Sequence, residues 1–199
     1  IRPGWFYHES EDDRVKSPDN LWDIYFASVG RGASLLLNLP PDRRGRIHPA
    51  DVDSVKNFRR RLDEMYAENM AASASQIAGP RRGADDRYGP EKLVDGNRNT
   101  YWATDPGVTT PRLVLTFDAP RRFNVVGLRE HLPLGQRVER FAFDCWEDGE
   151  WRELASARAV GNRRLLRVEK VDAARVRLRI EQAPVCPALS ELGLWHDKG

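Results

Sequence analysis

Apolar positions change period part-way along the chain. In the first seventy residues they recur at three- and four-residue spacing. Leu21, Ile24, Tyr25, Ser28 and Val29 form one such stripe and predict a helix from about Pro18 to Val29. Ser17 is placed to cap it, Pro18 suits the first helical position, Asp19 suits the positive end of the dipole, and Gly30 with Gly32 supplies the stop. The unbroken run Ser34-Leu35-Leu36-Leu37-Asn38-Leu39 predicts a strand covered on both faces, closed by Pro40 and Pro41. After a turn at Asp42-Arg43-Arg44-Gly45, Pro49 opens a second helix to about Met70, with Val52, Val55, Phe58, Leu62, Met65 and Tyr66 as its stripe. Helix, buried strand and helix in succession are the order of an α/β domain, yet one strand makes no sheet. Residues 1–70 are therefore expected to be the last part of a larger α/β unit, cut in mid-element at Ile1.

Beyond Ala71 the pattern differs. Ala71-Ala72-Ser73-Ala74-Ser75 is small and featureless, and Gly79 through Pro90 adds turn residues and charge, so residues 71–90 are expected to be a linker and the start of the following module. From there the period is two. Leu113, Leu115 and Phe117 alternate with Val114 and Thr116; Phe141, Phe143 and Cys145 with Ala142, Asp144 and Trp146; Val176, Leu178 and Ile180 with Arg175, Arg177 and Arg179. Such strands, separated by Gly, Pro and Asp turns, predict an antiparallel all-β sandwich or jelly roll over residues 91–199.

Composition narrows the function classes. Apolar residues make up 40% of the 199, enough for a sizeable core, which excludes a disordered chain. No apolar run approaches the ~18 residues of a membrane span. Thirty-two Lys and Arg against 30 Asp and Glu leave a charge of +2, which does not argue for nucleic acid. Two cysteines, Cys145 and Cys186, allow at most one bridge and exclude a Cys-based zinc site.

Several motifs then agree in order and spacing. Arg2-Pro3-Gly4-Trp5-Phe6-Tyr7-His8, Glu11-Asp12-Asp13, Leu21-Trp22-Asp23-Ile24-Tyr25, Ser28-Val29-Gly30-Arg31, Leu35-Leu36-Leu37-Asn38 and Pro40-Pro41-Asp42-Arg43-Arg44-Gly45 resemble the end of the catalytic (β/α)8 barrel of bacterial α-L-fucosidases. Leu93-Val94-Asp95-Gly96-Asn97 with Thr100-Tyr101-Trp102-Ala103, Phe123-Asn124-Val125-Val126, Leu128-Arg129-Glu130, Leu134-Gly135-Gln136-Arg137-Val138 and Glu191-Leu192 resemble a discoidin or coagulation-factor C-type domain, often a carbohydrate-binding module. The resemblance implies hydrolysis of terminal α-L-fucosyl residues with retention, by an Asp nucleophile and a Glu acid/base. It places both upstream of Ile1, so the fragment is expected to be inactive alone. It makes Ile1 to Trp5 the end of the seventh barrel strand and Leu35 to Leu39 the eighth. It also implies fucosylated glycans as partners, no catalytic cofactor, and a secreted or periplasmic full-length protein.

Candidate sites follow, each beside a plainer reading. Trp5 stands where barrel enzymes do chemistry, and an indole face suits the methyl and C–H patch of a 6-deoxy sugar; the alternative is packing between strand and helix. His8 is positioned to orient a hydroxyl, whereas Glu9, Glu11, Asp12 and Asp13 read better as a solvated acidic run and His48 as a helix cap. Asp95, Asn97, Thr100 and Glu191 offer hard oxygens for a structural calcium, or Asp95-Gly96 makes a tight Asx turn unaided; both readings stay open. Alternation turns Trp146 to the solvent face, where it, or else Arg129, Glu130 and Arg137 at a loop, could contact a glycan; scattered surface aromatics are ordinary. Trp102 and Trp151 are expected in the core, and the Arg175, Arg177, Arg179 face is expected to be solvated. The competing function class is a non-enzymatic carbohydrate-binding or cell-surface adhesion protein that uses the sandwich.

Overall fold

A computed structural model describes all 199 residues. Ser17 Oγ accepts the Asn20 N–H at 3.2 Å and Asn20 Oδ1 accepts the Ser17 N–H at 3.3 Å. This reciprocal cap starts helix α1, Pro18–Ala27. Helix α2, Pro49–Tyr66, begins at His48, whose Nδ1 accepts the Ala50 N–H at 3.3 Å, so the cap reading of His48 matches the geometry. α1 buries Leu21, Trp22 and Tyr25, a wider face than the stripe predicted. Trp22 is enclosed because α1 is sandwiched: its ring meets Phe58 of α2 edge-on at 6.4 Å and takes the Arg61 guanidinium at 4.3 Å.

The expected parallel strands do not form. Ile1–Trp5, which bends from Pro3 on, and Leu35–Leu39 lie side by side, joined by Ile1 N to the Asn38 carbonyl at 2.7 Å and by Asn38 Nδ2 to the Trp5 carbonyl at 2.8 Å. Two contacts of this kind make no ladder, because a strand covered on both faces needs a neighbour at each edge and apolar cover above and below. Leu36 instead stands 88% exposed. Within this chain the α/β part consists of two helices and two segments that form no ladder.

The remainder is antiparallel β-structure, as the period-two pattern predicts. Its strands are β1 (Gln76–Ala78), β2 (Trp102–Ala103), β3 (Arg112–Glu130), β4 (Arg140–Glu147), β5 (Glu150–Arg158), β6 (Arg164–Gln182) and β7 (Ala188–Trp195). Their order is β2-β7-β3-β6-β4-β5, with β1 on β3. Two strands of 19 residues, β3 and β6, pass through both layers. Pairing breaks between Thr116 and Arg121, so Leu113–Thr116 pairs with Arg175–Leu178 in one layer and Arg121–Leu128 with Arg164–Ala173 in the other. Between the layers lies a core that includes Trp102, Leu113, Leu115, Phe141, Phe143, Leu178 and Leu192. Trp102 is in that core as expected, whereas Trp151 is half-buried at the surface.

Residues 71–90 pack onto the sandwich. Ala71 is fully buried, β1 pairs with β3, and Asn69 Nδ2 donates to the Leu192 carbonyl at 3.0 Å. Small residues there serve close packing. Both cysteines are free and buried, and burial pushes the Cys145 thiol up.

A second apolar cluster fastens the helices to the outer face of the sandwich: Leu21, Trp22, Tyr25, Phe58 and Met65 meet Val125, Leu165 and Trp195. A register shift between Phe123 and Val125 reverses the alternation, so Phe123 points into the sandwich and Val125 out to the helices. Trp195 lies across the paired Gly127 and Gly193. A Cβ on Gly193 would come within 1.9 Å of the indole, and one on Gly127 within 2.8 Å. Gly193→Ala is expected to lift Trp195 and destabilise the chain by about 1–3 kcal/mol, the usual cost of overpacking. Thermal unfolding checks this, with Gly107→Ala, whose Cβ meets nothing within 4 Å, expected to leave Tm essentially unchanged.

Candidate functional site

The exposed edge of the helical part comes first. Trp5 is 74% exposed, and Phe6 is open as well. Trp5 lines a cavity of about 240 Å³ with Arg2, Lys16, Leu35 and Leu37. The packed-between-strand-and-helix reading of Trp5 does not fit that exposure. His8 is exposed and lines neither this cavity nor the next, so Trp5 and His8 are not gathered into one pocket.

Behind this edge sits a charge cluster that the sequence patterning overlooked. Arg2 is buried and forks onto Asp51, with Nε at 3.0 Å and Nη2 at 2.5 Å, while Nη1 reaches Asp12 at 2.8 Å. Asp12 also accepts the Tyr7 hydroxyl at 3.2 Å and faces His48 Nε2 at 3.4 Å, and the Arg2 guanidinium covers the Tyr7 ring at 4.8 Å. The hydrogen bonds that Arg2 donates to Asp51 raise the Arg2 pKa. Loss of solvent pushes Asp12 up, but Arg2, Tyr7 and His48 together outweigh it and hold the carboxyl below its usual range. The acidic run is thus only partly solvated. Asp51 could have been found from its place on the buried stripe of α2, four residues before Val55.

Tyr7, Glu9, Asp12, Asp42 and His48 line a cavity of about 320 Å³. Asp42 folds its turn by accepting the Arg44 N–H at 2.8 Å and the Arg46 N–H at 3.3 Å. The Arg44 guanidinium, at 2.6 Å, is the main cause that brings its carboxyl down to about 2.

In the sandwich, the Asx turn forms. Asn97 N–H donates to Asp95 Oδ1 at 2.9 Å, and Thr100 Oγ1 donates to Asp95 Oδ2 at 2.6 Å and to the Asn97 carbonyl at 2.8 Å. Asp95, Asn97 and Glu191 line one cavity of about 470 Å³ with Arg98, Arg163 and Trp195, while Thr100 opens onto another. Glu191 is held by Arg129 at 3.0 Å. No three His, Cys, Asp or Glu side chains converge as a ligand set. The Asp95, Asn97 and Thr100 oxygens nonetheless are the hard donors that calcium accepts.

Trp146, Arg129 and Arg137 are not brought together. Trp146 is 36% exposed, packs edge-on against Trp151 at 5.2 Å, and carries Arg175 over its ring at 5.0 Å. Arg137 precedes β4, whereas Trp146 lies near its far end, about 20 Å along the strand. Arg129 and Glu130 lie in β3 rather than in a loop, and both are buried. Arg129 is committed to Glu191 and to Asn162 at 2.8 Å. Glu130 accepts the N–H groups of Arg137, Val138 and Gly161 at 2.6–2.8 Å, which pins two loops. The Arg strand is less solvated than expected, because Arg177 and Arg179 close on the buried Asp144.

An aromatic group missed in the sequence lies at one end of the sandwich. Tyr101 stacks on His131 at 4.2 Å and tilts against Tyr88 at 5.4 Å, beside a cavity of about 510 Å³ that Arg87, Lys92 and Asn99 also line. The rings come from three separate segments, so no local spacing announces them.

Residues 70–192, well over half of the chain, match the F5/8 type C domain. The chain belongs to the F5/8 type C domain family. The likeness to known proteins extends beyond this F5/8 domain in both directions. Alpha-L-fucosidase 1 of Arabidopsis thaliana is 35% identical over 202 residues, covering 100% of this chain and 40% of that protein. A crystal structure described as SpGH29 superposes with a TM-score of 0.91 at 38% identity, over 99% of this chain and 42% of its own. A Ruminococcus gnavus GH29 fucosidase in complex with fucose superposes at 0.90 and 28% identity, over 100% of this chain and 40% of its own. The chain, F5/8 domain included, thus spans about two fifths of the length of these relatives.

Asp42 gives a pH test. Its folded pKa of about 2 lies below the roughly 3.9 of an unfolded Asp. Its stabilisation is therefore present above pH 4 and lost as pH falls towards 2. Urea unfolding of wild type and Asp42→Asn is expected to show a constant difference above pH 5 that closes between pH 4 and pH 2.

Proposed function

We propose that this chain is the C-terminal part of an α-L-fucosidase that removes terminal α-L-fucosyl residues with retention, its F5/8 domain following the last helix of the catalytic barrel. The observation that carries this reading is the continuity of the likeness. It runs over 99–100% of the chain, across helices and sandwich alike.

The open edge supports it. Trp5, Phe6 and Leu36 form an apolar margin beside segments that have no ladder partners. Preceding polypeptide in the relatives' longer chains would supply partners for such an edge. Trp5 would then face the sugar, its indole covering the fucose methyl group and adjacent C–H bonds while polar neighbours take the hydroxyls. His8 would orient one hydroxyl. Retention requires two carboxyl groups roughly 5–5.5 Å apart across the scissile bond. Asp12 and Asp51 are engaged by Arg2, and the family resemblance assigns both catalytic carboxyls to preceding polypeptide, so this chain alone would be inactive. Secretion or periplasmic export belongs to the same reading.

Hydrolysis of an aryl α-L-fucoside by the full-length polypeptide tests the proposal. Trp5→Ala is expected to lower kcat/KM at least about tenfold without lowering Tm, a loss on the scale of one apolar sugar contact. A full-length protein that binds fucosylated glycans but hydrolyses none would favour the adhesion or carbohydrate-binding alternative.

Within the F5/8 domain, the Tyr88–Tyr101 cleft supports a glycan contact better than Trp146, Arg129 and Arg137 do, because it gathers aromatic faces and polar groups in one place. The oxygens of Asp95, Asn97 and Thr100, with Glu191 across the cavity, would hold a structural calcium. EDTA treatment followed by calcium addition is expected to raise Tm by several degrees, and Asp95→Ala to abolish the response. A Tm indifferent to calcium would leave the Asx turn as the whole role of the loop.

A further inference from the structure

Where the turn after α1 meets the start of β6, three guanidinium groups share one cleft. Arg31, Arg164 and Arg167 line a cavity of about 290 Å³ together with Phe26, Leu165 and Leu166. Arg167 is accounted for: Asp23 holds it at 2.7 Å, and its guanidinium lies over the Phe26 ring at 4.4 Å. Arg31 and Arg164 are not. Neither side chain makes a hydrogen bond, and neither has a carboxylate within ion-pair distance, although the chain carries 30 acidic residues to its 32 basic ones. The Nε of Arg164 is buried with no partner at all. The Nε of Arg121 and Nε1 of Trp22 are likewise buried without a partner, so what singles out this cleft is the pair of guanidiniums that share it without a carboxylate.

We propose that this cleft is a binding site for a small oxyanion group: a sulfate ester, phosphate or carboxylate carried on a sugar or other compact ring. The guanidinium fork suits such a group, since its N–H donors point in one plane and match paired oxygens. One anion here would supply the counter-charge that Arg31 and Arg164 lack and relieve the repulsion between them. That repulsion is felt in the free chain, where burial first and Arg31 second lower the Arg164 pKa. Elsewhere the buried guanidiniums have carboxylates already: Arg2 has Asp51 and Arg129 has Glu191. Phe26, Leu165 and Leu166 give the cleft an apolar floor on which the ring bearing the anion would rest. Its volume is near the lower end of small-molecule sites, enough for one ring and its charged substituent. The site is separate from the Trp5 edge and stands whether or not the fucosidase reading holds.

Thermal unfolding of this chain in sodium sulfate, glucose 6-sulfate and glucose, at ionic strength held constant with sodium chloride, tests the proposal. Both sulfates are expected to raise Tm saturably, since a ligand bound only to the folded state stabilises it by mass action, whereas glucose leaves it unmoved. Tighter half-saturation by glucose 6-sulfate assigns the site to a sugar ester, and equal half-saturation to a free anion. Arg164→Met keeps the apolar stem and removes the orphaned charge. It is expected to unfold at or above the wild-type temperature and to lose the sulfate response. Arg31→Met, at an exposed position, is expected to raise the half-saturating concentration at least tenfold and serves if Arg164→Met does not fold. A Tm unmoved by sulfate, a shift that never saturates, or a shift retained in both variants overturns the proposal.

Discussion

Trp195 lies flat over Gly193 and Gly127, and because neither strand residue carries a Cβ, the indole reaches the backbone of the sheet and presents its far side to the helices. Tyr66 meets it edge-on at 5.3 Å, and the Tyr66 hydroxyl continues to the Tyr25 hydroxyl at 2.9 Å. Burial pushes the Tyr66 hydroxyl well above the ordinary phenol range, so it stays a neutral hydrogen-bonding group. Truncation of a core Trp costs about 3–5 kcal/mol. Here the loss would fall on the contact between helices and sandwich. That contact makes residues 1–66 and the F5/8 domain one packed body and thereby fixes the helical edge, Trp5 included, relative to the sandwich.

Arginine is the recurrent means by which this chain buries charge. Several enclosed guanidiniums meet a carboxylate: Arg2 with Asp51, Arg129 with Glu191, Arg177 and Arg179 with Asp144. Such pairs do little for net stability, but removing one partner strands the other, so they hold geometry firmly. The Arg2–Asp51 pair ties the segment that ends in Trp5 to the first turn of α2. Against this background, a cleft holding two guanidiniums with no counter-charge departs from the practice of the rest of the molecule.

The two parts of the chain differ in completeness. The sandwich closes its two layers on one core, with long bent strands shared between layers and loops pinned by the three N–H groups on Glu130. The helical part satisfies only its sandwich side. Its opposite margin leaves Trp5, Phe6 and Leu36 in the open beside two segments without ladders, a contiguous exposed apolar surface.

What the sequence determined alone was everything carried by short-range chemistry: both helix starts, the His48 cap, the turn at Asp42, and the alternation that puts Leu113, Phe141 and Leu178 inside. These depend on residues within a turn or a strand of one another. Tertiary structure decided the rest. Leu35 to Leu39 has the composition of a buried strand but no ladder, because a strand is a property of its neighbours. Trp195 and its glycines, the Arg2–Asp51 fork, the Tyr88–Tyr101–His131 stack and the unpaired Arg31 and Arg164 each join residues far apart in the chain. A register shift at Asn124 reverses which face is inside, and no periodicity read along a single strand can anticipate a bulge set by its partner.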